Sequence, residues 1–292
     1  MTPSLNEEAA KAPGGQLFVV ATPIGNLEDI TLRAIRTLKE ADLVACEDTR
    51  RTQGLLEHFS IRTNLLSYHE HNEMTRAPEL VLLMEEGSRI ALVSDAGMPT
   101  VSDPGHRLVK LAIRHNIPVI PVPGASALIA SLAVSGLPLN QFRFEGFLPS
   151  KRVARQRALR ALAESNETLA FYEAPHRVIE MVEDVLKMLG DRPLVVAREV
   201  TKIHEEFLRG QASEILSTLK KRPSVKGEVT VLAGPPDGEV KIPKRPQPLA
   251  EEMKKLVSGG DLTEREAIKK IARARGMSKS EVYRLWQEEK DK

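Results

Sequence analysis

The strongest constraint on the fold of this chain is its alternation of short apolar runs with polar loops that carry glycine or proline. Residues 17–21, 43–46, 90–93 and 118–122 are such runs, with the length and composition of buried strands. Helix signals stand between them. Asp29 or Thr31 can cap a helix whose apolar face is Leu32, Ile35, Leu38 and Ala41. Asp103 followed by Pro104 makes a cap and first-turn pair for a helix through Asn116, and 126–134 is a small-residue helix beginning at Ser126. Strand, loop and helix in repetition predict an α/β fold with a mainly parallel sheet.

A second set follows a junction at 135–139, which holds Gly136 and Pro138. It comprises an alternating strand at 142–147, a basic helix at 151–160, and strands at 169–172, 194–197 and 229–233. A helix opened by Pro175 sets Val178, Met181, Val182, Val185, Leu186 and Leu189 on one side and is stopped by Gly190. The predicted organisation is a flexible tail at 1–15, α/β domains at 16–135 and 136–233, a proline-rich linker at 234–248 and an accessory domain at 249–292. In the last, Thr263 with Glu266 and Ser278 with Glu281 form capping boxes on either side of Gly276. Ile268, Ile271 and Ala272 then face Val282, Leu285 and Trp286, the outline of a helix-turn-helix. A small helical cap on the main body fits the same spacing.

Composition excludes several functions. Lys and Arg number 42 against 40 Asp and Glu, a formal charge of +2, too little to grip nucleic acid by bulk charge. Aromatic residues make up 4%, which leaves no broad stacking platform for bases. The single cysteine, Cys46, fits a reducing compartment and reads as a small buried residue rather than a nucleophile. Residues 1–15 lack the basic start and apolar core of a signal peptide, and no apolar stretch reaches the roughly 20 residues of a membrane span. A soluble cytoplasmic protein is expected.

Three polar loops follow strand ends in the first half: Thr22-Pro23-Ile24-Gly25-Asn26, Glu47-Asp48-Thr49-Arg50, and 94–105. Ligands of open parallel sheets gather outside the carboxyl ends of the strands, and glycine there permits close approach. Singly, each loop also reads as a tight turn. The glycine-rich dinucleotide signature and the P-loop signature are both missing. His69 and His71, with Glu70 and Glu73, read as a polar loop, so no metal is predicted. Ser126 lies in an incomplete nucleophile elbow, since residue 128 is leucine, and reads as a helix cap. Asp103 reads as a cap or a ligand contact. In the second half, residues 172–177 and 198–206 put charged groups at strand ends, where Arg and Lys can hold phosphate and His or Glu can handle a proton. An interdomain ion-pair network explains any one of them equally well.

Taken in order, the stretches at 21–31, 46–50, 94–105, 122–127, 144–149 and 171–177 resemble the tetrapyrrole-methylase superfamily, and more closely its ribosomal-RNA branch. The resemblance covers nearly the whole chain after residue 15. It implies S-adenosylmethionine bound in a cleft between two α/β domains, a homodimer, and 2'-O-methylation of a cytidine of 16S rRNA near the decoding centre, in the small ribosomal subunit. Cofactor roles are carried to Pro23, Gly25 and Asn26, to Gly97, Met98 and Pro99, and to Pro123, Gly124, Ala125 and Ser126. Porphyrinoid-modifying relatives have Gly-Asp-Pro where this chain has Gly97-Met98-Pro99, and a second glycine in the first loop. Both departures favour the RNA branch. The C-terminal helix pair looks like that branch's accessory domain. A hydroxyl must lose its proton as the new bond forms, and Glu47, Asp48, Glu173, His176 and His204 are the candidate acceptors. Arg50, Arg51, Arg177, Arg198 and Lys202 are candidates for rRNA phosphates. The rival readings are a corrin or porphyrin methyltransferase and a nucleic-acid-binding regulator led by the terminal helices; near-neutral charge weighs against the regulator.

Overall fold

The computed structural model describes residues 14–236, 249–258, 262–275 and 278–290. The predicted tail and proline-rich linker lie almost wholly outside the described residues, as does Gly276. The chain divides into two compact units, 1–237 and 238–292.

The first unit holds two five-stranded sheets. Strands β1 (Gln16–Val20), β2 (Leu43–Cys46), β3 (Asn64–Ser67), β4 (Arg89–Val93) and β5 (Val119–Val122) are all parallel, in the order β3-β2-β4-β1-β5. Helices α1 (Leu32–Glu40), α2 (Thr49–His58), α3 (Glu73–Glu85), α4 (His106–Arg114) and α5 (Ala127–Ala133) follow them in turn. Side-chain alternation explains the unbroken apolar runs. Phe18 and Val20 pack with Ala34, Leu38 and Val44 on one face, while Leu17 and Val19 pack with Leu80, Met84 and Leu92 on the other. Thr31 caps α1 as expected, its hydroxyl accepting from the Ala34 N–H at 3.1 Å.

The second sheet contains β6 (Phe142–Phe147), β7 (Thr168–Glu173), β8 (Pro193–Arg198), β9 (Glu206–Gln211) and β10 (Val229–Ala233), in the order β6-β7-β10-β8-β9. Only β6 and β7 are parallel; the other pairs are antiparallel. Helices α6 (Arg152–Ala161), α7 (Val178–Leu189) and α8 (Ala212–Lys220) cover one face, where Phe171 and Val196 meet Met181 and Ile215. The other face is covered by α5, whose Leu128 and Leu132 pack on Ala170, Val195 and Leu232. That docking joins the two sheets and leaves a cleft beside it.

Two predicted helix starts are corrected. Asp103 does not cap α4, which begins at His106 behind Gly105. Thr100 and Ser102 hold left-handed φ angles of 74° and 62°, so the chain leaves 94–105 as an irregular loop and Asp103 is free to face the cleft. Pro175 does not open α7; the Arg177 N–H closes a turn on the Ala174 carbonyl first, at 2.9 Å. Gly190 ends α7 with φ 83°, as its position predicts.

The second unit is a three-helix cluster of α9 (Leu249–Ser258), α10 (Glu264–Arg275) and α11 (Lys279–Lys290). Its core joins Leu249 and Met253 to Ala267, Ile268, Ile271, Val282 and Trp286. The Thr263 and Ser278 N–H groups donate to Glu266 and Glu281 at 2.9 and 3.2 Å; the Glu281 N–H returns to the Ser278 hydroxyl at 3.2 Å and completes the second capping box, whereas the Thr263 hydroxyl donates to Glu266 at 2.7 Å. The expected helix pair is therefore present, joined by α9. Among the described residues no helix is long and apolar enough to cross a membrane.

Candidate active site

The carboxyl ends of the parallel strands carry the site. Thr22, just beyond β1, pairs with Gly97 beyond β4: its N–H donates to the Gly97 carbonyl at 2.9 Å, and the Gly97 N–H returns to Thr22 at 3.1 Å. The Thr22 hydroxyl donates to the Ser94 carbonyl at 3.1 Å. Gly97 sits at φ 80°, a conformation glycine adopts without steric penalty. Gly124 lies so close to Ala21 that a Cβ on it would fall 2.9 Å from the alanine methyl. The first loop, the 94–105 loop and the turn before α5 are thus locked together through main chain.

Two adjoining cavities open over this frame. The first, about 390 Å³, lies between the 94–105 loop, the start of α5 and the ends of β7 and β10; Met98, Asp103, Ser126, Phe147, Tyr172 and Thr230 are in its wall. The Phe147 and Tyr172 rings stand 5.7 Å apart. Among the described residues Asp103 has neither a hydrogen-bond nor an ion-pair partner. Burial, then the neighbouring carboxylates of Glu47, Asp95 and Glu228, push its carboxyl up to about 6. The second cavity, about 310 Å³, runs along the first loop and α2; Pro23, Gly25, Arg51, Gly54 and Lys202 are in its wall. Ile24, Ala96 and Glu228 belong to both.

Lys202 closes the second cavity from the other sheet. Its Nζ lies 2.9 Å from Glu199 and 3.2 Å from Glu228. Its stem crosses Gly25, where a Cβ would fall 2.2 Å from the lysine Cγ. The loop bearing it is strained, with Glu199 and Thr201 at φ 52° and 69°, and is held by the Glu199 N–H donating to the Glu228 carbonyl at 2.9 Å. Across the cavity, Arg51 Nη1 is 3.2 Å from Asp95, whose other oxygen accepts from the Asp48 N–H at 3.1 Å.

The sequence-derived residues separate cleanly on this geometry. Gly97, Met98 and Ser126 border the first cavity, and Pro23 and Gly25 the second. Asn26 instead caps the next turn by accepting from the Glu28 N–H at 3.0 Å. Pro99, Pro123, Gly124 and Ala125 border neither cavity, and Gly124 belongs to the frame through its close approach to Ala21. Ser126 also caps α5.

Among the proton-acceptor candidates, Asp48 is held down to about 2 by Arg50, which makes it a weak base. Glu47 is raised by burial and by Asp95. Glu173, the last residue of β7, is in the wall of the first cavity, and burial pushes its carboxyl up. Its carboxylate accepts from the Ala174 N–H at 2.8 Å and lies 3.3 Å from Arg177. His176 and His204 are exposed and border neither cavity.

Among the cations, Arg177 is spent on the Leu148 and Pro149 carbonyls, and Arg198 on Glu206 and the Lys226 carbonyl. Arg50 chelates Asp48 at the surface. Of the candidate cations, only Arg51 and Lys202 reach a cavity. Asp95, Glu228, Phe147 and Tyr172 are not among the candidate residues of the sequence; Asp95 is legible in the 94–105 loop, whereas Glu228 arrives through the antiparallel return of β10. Cys46 is fully buried, its thiol raised by burial and 3.7 Å from the Leu66 carbonyl. Among the described residues no cluster of three or more His, Cys, Asp or Glu could hold a metal.

Two α/β sheets with a cleft at the carboxyl ends of a parallel one define a class. The profile of the family described as Tetrapyrrole (Corrin/Porphyrin) Methylases matches residues 16–216. The fold is likewise similar to that of a solved cobalt precorrin-4 methyltransferase, with a TM-score of 0.56 at 19% identity over 75% of this chain and 94% of that one. A diphthine synthase structure gives 0.56 at 20% identity, over 75% and 90%. In sequence, the chain is 46% identical to the ribosomal RNA small subunit methyltransferase I of Halalkalibacterium halodurans, over 94% of this chain and 96% of that protein. It is 49% identical to the protein of the same name from Thermotoga maritima, over 75% and 97%. The chain belongs to the tetrapyrrole methylase family and, within it, groups with the ribosomal RNA small subunit methyltransferase I proteins.

Proposed function

We propose that this protein transfers a methyl group from S-adenosylmethionine to the ribose 2'-oxygen of a cytidine in 16S rRNA of the small ribosomal subunit. The observation that carries the reading is the 46% identity, over nearly the full length of both chains, to a ribosomal RNA small subunit methyltransferase I. The first cavity fits the cofactor. It is large enough, mostly apolar in its wall, and holds one unpaired carboxylate, Asp103, to complement a cationic ligand. When bound, S-adenosylmethionine supplies a methyl on a positively charged sulfur. The residues of the chain align the acceptor oxygen with that methyl and take up the hydroxyl proton as the oxygen–carbon bond forms. Asp103 and Glu173, both in the wall of the first cavity, and Glu47, directly after β2, are the carboxylates suited to the proton, because each is held above its ordinary range.

The same reading takes the two sheets as the α/β domains 16–135 and 136–233, and 249–292 as an accessory domain that helps hold RNA. It also takes the active form as a homodimer. Support comes from the apolar side chains left exposed on α5 and the edge strand β6, Ile129 at 54% and Phe142 at 43%; light scattering would test it. The chemistry is tested by incubating the protein with labelled cofactor and unmethylated small subunits, then digesting the RNA for mass spectrometry. Methyl on a cytidine ribose is expected. A substrate with 2'-deoxycytidine at the target should accept none, since the attacking oxygen is gone. Methyl on the base, or on a corrinoid in place of RNA, would overturn the reading.

A further inference from the structure

The second cavity adjoins the one that fits the cofactor and is built differently from it. Its wall brings together two cations from different sheets, Arg51 and Lys202. Arg51 spends one nitrogen of its guanidinium on Asp95 and leaves the side chain 67% exposed. Lys202 has two carboxylate partners for its three N–H donors. Each cation is oriented by acids behind it and retains donors. Between them, α2 presents Gly54, an interior helical position where a Cβ would meet nothing within 4 Å. Packing within the chain therefore gives no reason for glycine there; the missing side chain leaves room in the cavity.

We infer that this second cavity is the acceptor-nucleotide subsite, with Arg51 and Lys202 holding the phosphate next to the target ribose and the space over Gly54 admitting the nucleoside. The inference rests on the methyl-transfer reading above and names where its RNA substrate enters. Ile24, Ala96 and Glu228 are common to both cavities, so groups seated in the two meet at that wall. A fork-shaped guanidinium and an ammonium are the usual partners of a phosphate, and charge-assisted contacts of this kind fix position as well as affinity. A cavity of this size takes one nucleotide rather than a base pair, which restricts the substrate to an unpaired residue.

The test uses full-length Arg51→Gln, Lys202→Gln and Gly54→Leu proteins with unmethylated small subunits. Arg51→Gln and Lys202→Gln should each raise KM for the subunits about tenfold, the weight of one charge-assisted contact, and Gly54→Leu should raise it at least as far by filling the nucleoside space. Cofactor affinity by calorimetry should stay within about twofold of wild type. Gly54→Leu fills open space at a helical position, so it reports blockage without loss of folding. Cytidine 5'-monophosphate should inhibit the wild type better than cytidine does, and this preference should vanish in Arg51→Gln. Unchanged KM in all three variants, equal loss of cofactor affinity, or equal inhibition by cytidine and its monophosphate would overturn the subsite. If the wild type methylates subunits while the variants behave like it, the subsite alone fails. If the wild type places no methyl on RNA, the functional reading fails and takes the subsite with it.

Discussion

Replacing Asp103 by asparagine should make the ligand-free protein more stable and the enzyme worse. The carboxyl is pushed from 3.8 to about 6 by burial and by Glu47, Asp95 and Glu228, with no cation to offset them. A group whose proton affinity rises on folding binds more protons in the native state between those two values. Stability therefore falls as pH climbs through that window. A difference of that size corresponds to about 3 kcal/mol. Asp103 is half-buried, so solvent screening lowers the expected gain of Asp103→Asn to about 1–2 kcal/mol at pH 7.5. At roughly 2–4 °C per kcal/mol for a body of this size, the melting temperature should rise by about 2–8 °C. The gain should shrink as pH falls from about 6 and vanish only below 3.8, where the wild-type carboxyl is protonated in the folded and the unfolded state alike. Calorimetric titration of the same variant should show cofactor affinity down about tenfold or more, because the unpaired anion of the first cavity is gone. Thermal denaturation from pH 4 to 8 tests the first half. A variant that is less stable at pH 7.5, or whose advantage does not depend on pH, would refute the electrostatic argument.

Further outcomes follow from individual contacts. Glu206 lies between Arg198 and Arg222 and is held down to about 2, so its contribution is present above its unfolded value near 4.5 and lost as pH falls through 2. Glu206→Gln should cost about 1–2 kcal/mol at pH 7 in denaturant titrations, and the gap to wild type should close in acid. Asp184, fully buried, accepts from Arg155 and Gln156 at 2.7 Å each; Asp184→Ala should cost about 3–5 kcal/mol, and a loss under about 1 would contradict the burial argument. Gly97→Val should weaken cofactor binding by about tenfold or more, since it forces a branched residue to φ 80° with a Cβ 3.3 Å from Ile24. Removing 238–292 should weaken binding to small subunits while leaving calorimetric cofactor affinity intact; equal loss of both would mean that the segment supports the main fold.

Elements whose signals are local are legible in the amino-acid sequence alone. The strands at 43–46 and 229–233 have the bounds expected, because both are apolar runs flanked by polar residues. Thr31, Ser126 and Gly190 end or begin helices where their chemistry requires it. The elements that the sequence does not announce have conflicting or weak local signals. Helix α3 carries Pro78 in its interior, which argues against a helix, yet Ala77, Leu80, Val81 and Met84 fall on one buried stripe and packing prevails. Strand β9, with the sequence Glu-Phe-Leu-Arg-Gly-Gln, is a half-buried edge strand whose first residue, Glu206, pairs with Arg198 and Arg222.

The site divides along the same line. Sequence by itself determined the α/β class, the three strand-end loops and the family, because glycine, proline and apolar periodicity act on neighbouring residues through backbone sterics and strand burial. It also supplied every cation and all but a few of the acids that stand near the cleft. Only the tertiary structure decided which of them take part. Arg177 and Arg198 look as suitable as Arg51 and Lys202 in one dimension, but the fold spends the first pair on carbonyls and Glu206 and brings the second pair to one cavity from different sheets. Asp103 has the local signature of a helix cap, yet the left-handed turns at Thr100 and Ser102 carry it into the cleft unpaired. Charge pairing and burial are set by residues distant in sequence, here Glu47 and Glu228 around Asp103, and such through-space energies have no signature in a local stretch of chain.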